Sequence, residues 1–309
     1  MAARVSHKSM VVGDVDHVPG IRDPRCLAYL ERRANSDNLV VLLHGMGLDG
    51  SDFADFLERH EVHAVAPTLV GFEADAERLS VLNPIHLDDH VRILTQFIRG
   101  LQQSYPDKRL ILVGFSLGAD MLLRLAEYWQ GDQARMPAVH AALLLDPNVN
   151  HSTMSISKIF AEADPAVPHI AMLKAVQLAS NVTELRNICG YIYRIAYKDF
   201  WQIKQHARDF CNYWPSSGEF HTIAVRLQLL SSLVEVMRVV TSATYEPHVS
   251  AIQSQTSFAQ VTNTNFEVTK LDHFDLINHE LLAAELATLE ADGSPSAAGR
   301  SPAGAAHRR

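Results

Sequence analysis

From about residue 27 to residue 146, short apolar runs alternate with longer stretches of helical periodicity, and this alternation restricts the chain to few architectures. Residues 38–43 (NLVVLL), 62–66, 109–113 (RLILV) and 141–145 read as strands. Residues 51–60, 87–101 and 117–129 between them read as helices, with Val91, Leu94, Ile98 and Leu101 at helical spacing in the second. Strands that are near-continuous apolar runs are buried on both faces. Separated by helices, they specify a parallel sheet covered on both sides.

After Asp146 the alternation stops for about 90 residues, and residues 169–180, 182–198, 200–213 and 221–235 all read as helices. A strand–helix–strand crossover needs far fewer residues, so this stretch is expected to be an inserted helical module. The alternation then resumes, with strands at 237–243 and 266–271, a short helix at 249–255 and a closing helix at 274–289. The expected organisation is an N-terminal segment (1–26), a core (27–146 and 236–290), a helical lid (147–235) and a disordered tail (291–309). The tail holds no aromatic or large aliphatic residue, so it cannot bury enough apolar surface to offset its ordering entropy.

Composition removes several function classes. The net charge is −8, with no basic stripe of the kind that binds nucleic acid. Cys26, Cys189 and Cys211 are far apart and form no Cys-x-x-Cys pair, which argues against a disulfide framework or a structural zinc site. The first ten residues are polar, unlike a secretory signal, and no run of about 18 apolar residues spans a bilayer. A soluble, cytoplasmic protein without a membrane span is expected; its oligomeric state is not legible.

The sharpest local feature is Gly114-Phe115-Ser116-Leu117-Gly118, at the end of RLILV and at the start of a helix. A sharp strand-to-helix turn lifts its middle residue clear of the sheet edge, near the positive end of the helix dipole, and flanking glycines let the backbones pass. Ser116 would then be placed to attack an acyl carbon. The plainer account is a glycine-lined turn with a serine N-cap. His44-Gly45-Met46-Gly47, directly after NLVVLL, is a loop whose backbone amides could hold an oxyanion, with Met46 and Leu117 the candidate donors.

The base should follow the last strand, and His273 in Leu271-Asp272-His273-Phe274 stands there, with His248 and His279 as fallbacks. Asp272 and Asp275 read as helix N-terminal charges. The acid that orients His273 has two candidates, each at a strand end. Glu246, after strand 237–243, is preferred, and Asp146, after LLLDP, is the rival. His86 and His90 stand four apart and could share a helix face as metal ligands, but no third ligand lies near them in sequence, and Asp88 and Asp89 suit a helix start.

Together these residues resemble the α/β-hydrolase superfamily. The landmarks are the HGMG loop, APTLVGF (66–72) after the next strand, the GFSLG elbow, LDHFDL (271–276), and an insertion where family lids sit. The pattern departs from many members in having Glu246 at the acid position and Thr68 where an Asp is common. The resemblance implies an α/β fold with a mostly parallel, doubly wound sheet and an inserted helical lid. It also implies a serine hydrolase of an ester, thioester or related acyl bond, needing no metal or organic cofactor. The same fold serves carbon–carbon bond hydrolysis, lyase and acyl-transfer chemistry, or ligand binding without turnover.

Nine of the 23 aromatic residues fall between Tyr191 and Phe220. Tyr193, Tyr197 and Trp201 recur at i, i+4 and i+8, a stripe expected to line an apolar substrate site, with helix packing as the plainer account. The expected partner is a small, apolar acyl compound.

Overall fold

The computed structural model describes residues 4–12, 26–73, 84–132, 136–261 and 263–292. Most of the expected tail (293–309) and much of the N-terminal segment (1–3 and 13–25) lie outside the described residues.

An eight-stranded sheet runs in the order β1-β2-β4-β3-β5-β6-β7-β8. Its strands are β1 (Ser6–Val11), β2 (Cys26–Arg32), β3 (Asn38–Leu43), β4 (Ala64–Pro67), β5 (Arg109–Phe115), β6 (Val139–Leu145), β7 (Val236–Thr241) and β8 (Thr264–Val268). From β4 to β8 every pairing is parallel, whereas β2 runs antiparallel to both β1 and β4. The apolar runs occupy the middle: every residue of β3 and β6 is buried. This is an α/β fold with a mostly parallel, doubly wound sheet.

The N-terminal segment contributes a strand that the apolar-run criterion misses. In β1 (SHKSMV) half-buried and exposed residues alternate, the pattern of a strand covered on one face only.

The core helices are α1 (Ala54–Arg59), α2 (Leu87–Ser104), α3 (Leu117–Gly131), α9 (Glu246–Gln253) and α10 (His279–Asp292). Between β6 and β7 lie α4 (Ser155–Glu162), α5 (Pro168–Val176), α6 (Val182–Ile195), α7 (Phe200–Tyr213) and α8 (His221–Ser232). Helix α8 packs on α3, buries Ile223, Ala224, Leu227 and Leu230, and leads into β7, as a crossover helix does. Arg226 of α8 pairs with Glu127 of α3 and lies over the Tyr213 and Trp214 rings, 3.4 and 4.7 Å from their centroids. Helices α4 to α7 precede α8, within the stretch expected to form a helical lid (147–235). Among the described residues, no helix is long and apolar enough to cross a membrane.

Candidate active site

The turn from β5 into α3 is strained in a specific way. Ser116 has φ 52° and ψ −119°, a region that costs a non-glycine residue about 1–3 kcal/mol. Its side chain makes no capping bond to the helix, so the N-cap account of this serine does not apply. The turn closes only over glycine: a Cβ on Gly114 would lie 2.4 Å from the Gly118 carbonyl oxygen, and one on Gly118 would lie 2.2 Å from that of Leu43. The amide of Leu117 is the first of α3, and the first N–H groups of a helix have no acceptor within it.

His44 organises the neighbouring loop. The Leu69 amide donates to His44 Nε2 at 3.0 Å, which leaves the ring proton on Nδ1, donated to the Gly45 carbonyl at 2.8 Å. Burial pushes the pKa of this ring down, in keeping with a neutral imidazole. The Leu48 amide donates to the same Gly45 oxygen at 3.2 Å. Because a trans peptide carries its C=O and N–H on opposite edges, these two bonds also set the direction of the Met46 N–H.

On the neighbouring strand, at the same carboxyl edge of the sheet, Asp146 follows β6 with φ 49°, a left-handed conformation that Asp tolerates better than most residues. Its carboxylate is wholly buried and accepts three bonds, from Ser242 N (2.8 Å), Ser242 Oγ (2.8 Å) and His273 Nδ1 (2.7 Å). The acid preferred from sequence is therefore not the one that meets the histidine. Glu246 stands exposed in the first turn of α9, and the carboxylate on His273 is that of Asp146. Ser242, which supplies two of the three donors, carries no motif; its position at the C-terminal end of a parallel strand is its only sequence signal.

Ser116, Met46, Leu117 and His273 line one cavity of about 330 Å³. Among the described residues Ser116 and His273 share no direct hydrogen bond; such bonds are commonly loose until a substrate is engaged. Its lining combines apolar side chains, Leu48, Ile188, Tyr191 and Phe274 among them, with the hydroxyls of Ser152, Thr153, Ser157 and Thr244. His248, a fallback base, lines it too and bonds Ser152 Oγ at 3.1 Å, whereas His279, the other fallback, pairs with His60.

The expected aromatic stripe faces the other way. Tyr193, Tyr197 and Trp201 are 69%, 71% and 43% exposed and do not line the cavity. The inward face of α6 is set by Ile188, Tyr191 and Ile195, and two residues of helix turn the chain by about 200°, so Tyr193 points away where Tyr191 points in. Trp201 is not on α6 at all, since that helix ends at Ile195 and α7 begins at Phe200.

His86 and His90 also separate. His90 is buried against His206 (ring centroids 4.8 Å apart), whereas His86 lies 3.3 Å from Asp209 and is 61% exposed. Among the described residues no group of three or more His, Cys, Asp or Glu is arranged to hold a metal ion.

Asp120, four residues past Ser116, is a buried carboxyl that the sequence analysis did not single out. It accepts from Asn148 N (2.8 Å), Asn148 Nδ2 (2.6 Å) and Trp214 Nε1 (3.1 Å), joining α3, the loop after Asp146 and the end of α7. Burial pushes its pKa up to about 7.

A family model described as "Alpha/beta hydrolase family" matches residues 40–285. No curated protein matches the sequence. Among solved structures, the chain is similar to a lipase-esterase related protein from Clostridium acetobutylicum (16% identity, 85% of this chain and 99% of that one, TM-score 0.58). It is also similar to a thermophilic esterase from Thermogutta terrifontis (14% identity, 94% and 100%, TM-score 0.61). A third similar structure is an AqdC variant in complex with its substrate, described as recognising and ring-cleaving the Pseudomonas quinolone signal (16% identity, 93% and 99%, TM-score 0.63).

Proposed function

We propose, on the premise that this chain belongs to the alpha/beta hydrolase family, that it is a serine hydrolase of an ester, thioester or related acyl bond in a small, largely apolar molecule. The observation that carries this reading is Ser116: a serine held in a strained turn, free of any capping role, opening on a cavity that a carboxylate-bound histidine also lines. Strain of this kind persists where the surrounding structure enforces it, and here two close backbone approaches do so.

The geometry supports the following sequence of steps. Ser116 Oγ attacks the acyl carbon while His273 Nε2 takes its proton. Charge developing on the acyl oxygen meets the amides of Met46 and Leu117. Asp146 holds the Nδ1 proton and stabilises the imidazolium without taking that proton, and Ser242 in turn fixes Asp146. His273 returns its proton to the leaving alkoxide or thiolate, leaving an acyl-enzyme. Water then attacks the acyl carbon, again deprotonated by His273, and the proton returns to Ser116 as the acid product leaves.

The apolar lining residues of the cavity suit an acyl chain, and its hydroxyls suit an uncharged polar substituent. The test is Ser116→Ala assayed on p-nitrophenyl esters of graded chain length, with fluorophosphonate labelling. Loss of labelling and a fall in kcat of at least about 10³-fold are expected. Turnover and labelling that survive the substitution would rule out the mechanism.

A further inference from the structure

Helix α6 presents one stripe to the site, and that stripe reaches both loops on which the proposed chemistry depends. Asn187, Tyr191 and Ile195 stand at i, i+4 and i+8. Asn187 Nδ2 donates to Asp272 Oδ2 at 2.9 Å, and the other oxygen of that carboxylate accepts the backbone N–H of His273 at 2.7 Å. One turn further, Tyr191 Oη donates to the Met46 carbonyl at 3.0 Å, while its ring stacks on Phe274, the neighbour of His273, with centroids 5.2 Å apart. Ile195 then closes on Gly47 so tightly that a Cβ there would lie 2.8 Å from its Cγ2.

Met46 therefore has both flanking peptides held, and from different sources. The Gly45–Met46 peptide is held from within the core, by His44 and Leu48. The Met46–Gly47 peptide is held by the Tyr191 hydroxyl, which belongs to the inserted helices. Tyr191 is only 3% exposed, so no solvent stands ready to replace its bond. Ile188 and Tyr191 also line the cavity, and an occupant in contact with them presses on the same helix that holds Met46 and Asp272.

We propose that Tyr191 is a positioning residue through which occupation of the cavity beside Ile188 and Tyr191 seats the oxyanion loop, so that binding of the acyl chain appears in kcat rather than in KM alone. The inference rests on the hydrolase reading above. Its physical basis is that binding energy from a remote part of a substrate accelerates a reaction only when it improves groups that act in the transition state. In this fold the Tyr191–Met46 bond is the link that carries it.

The experiment measures kcat and KM for p-nitrophenyl acetate, butyrate and hexanoate, and the inhibition constant of a hexyl trifluoromethyl ketone, in wild type and Tyr191→Phe. In wild type kcat should rise with chain length. Tyr191→Phe should flatten that rise, lower kcat on hexanoate by roughly tenfold and weaken the ketone by a similar factor, with KM nearly unchanged. Asn187→Ala, which cuts the other tie, should act in the same direction and serves if Tyr191→Phe does not fold. The proposal is overturned if kcat is independent of chain length in wild type. It is equally overturned if the variants stay within twofold of wild type, or lose the same factor on acetate and hexanoate, as a packing residue would. Fluorophosphonate labelling of wild type separates the two levels: without it the hydrolase reading falls, whereas labelled protein with an unaffected Tyr191→Phe removes only this inference.

Discussion

Asp146 Oδ2 lies 2.7 Å from His273 Nδ1, across 127 residues of sequence, and the same oxygen accepts the Ser242 hydroxyl. Asp146→Asn should therefore reduce kcat by about 10⁴-fold, because the amide no longer holds the required tautomer. Glu246→Gln, in an exposed first helical turn, should remain within twofold of wild type. Steady-state rates on p-nitrophenyl butyrate decide between the two carboxylates.

The strand-to-helix turn has no room for a methyl group. Gly118→Ala places a Cβ 2.2 Å from the Leu43 carbonyl oxygen, which belongs to one of the two middle strands of the sheet and cannot retreat. A loss of at least about 3 kcal/mol is expected, visible as a lowered urea midpoint or as insoluble protein. An unchanged midpoint would mean that the turn is looser than its geometry implies.

Asp120 gives stability a pH dependence of definite sign. Burial raises its folded-state pKa to about 7, against about 3.9 for an unfolded Asp. The native state thus holds the proton more tightly, and this contribution is complete below about pH 4 and is lost as pH rises through about 7. Wild type should exceed Asp120→Asn in stability by more at pH 5 than at pH 8, as measured by urea unfolding. A difference that stays constant or grows with pH would show that Asp120 is ionised throughout.

Charge in the cavity points to substrate preference. Among the described lining residues there is no Lys or Arg, while Glu184 and Asp272 are carboxylates. Hydrogen bonds from Ser180 hold the Glu184 carboxyl below its ordinary pKa. Esters with an anionic acyl terminus should be turned over roughly tenfold more slowly than neutral isosteres, and Glu184→Gln should narrow that ratio. The comparison of kcat/KM for butyrate and hemisuccinate esters tests it; equal values would remove the electrostatic argument.

Much of this site is legible before folding is considered, because part of its geometry is local. A run such as NLVVLL, ended by turn residues and set among helical periods, reads as a buried strand, and GFSLG between a strand and a helix puts Ser116 at the middle of a tight turn. His273 follows from chain order, since ligands meet a parallel sheet at the carboxyl ends of its strands. The amphipathic spacing of α2 likewise carries its own orientation.

The remaining features depend on rotation and register, which the chain acquires only in three dimensions. Asp146 and Glu246 both follow parallel strands, and only the packed structure turns one inward to Ser242 and His273 while leaving the other in solvent. On α6, Tyr191 and Tyr193 share composition and neighbourhood, yet about 200° of helical rotation separates the ring that meets Met46 from one that faces water. The sequence by itself determined the six parallel strands, β3 to β8, through their apolar runs, and made Ser116 a candidate through its local turn and His273 a candidate through chain order. Tertiary structure decided the carboxylate and the tyrosine, because both depend on contacts between segments more than a hundred residues apart.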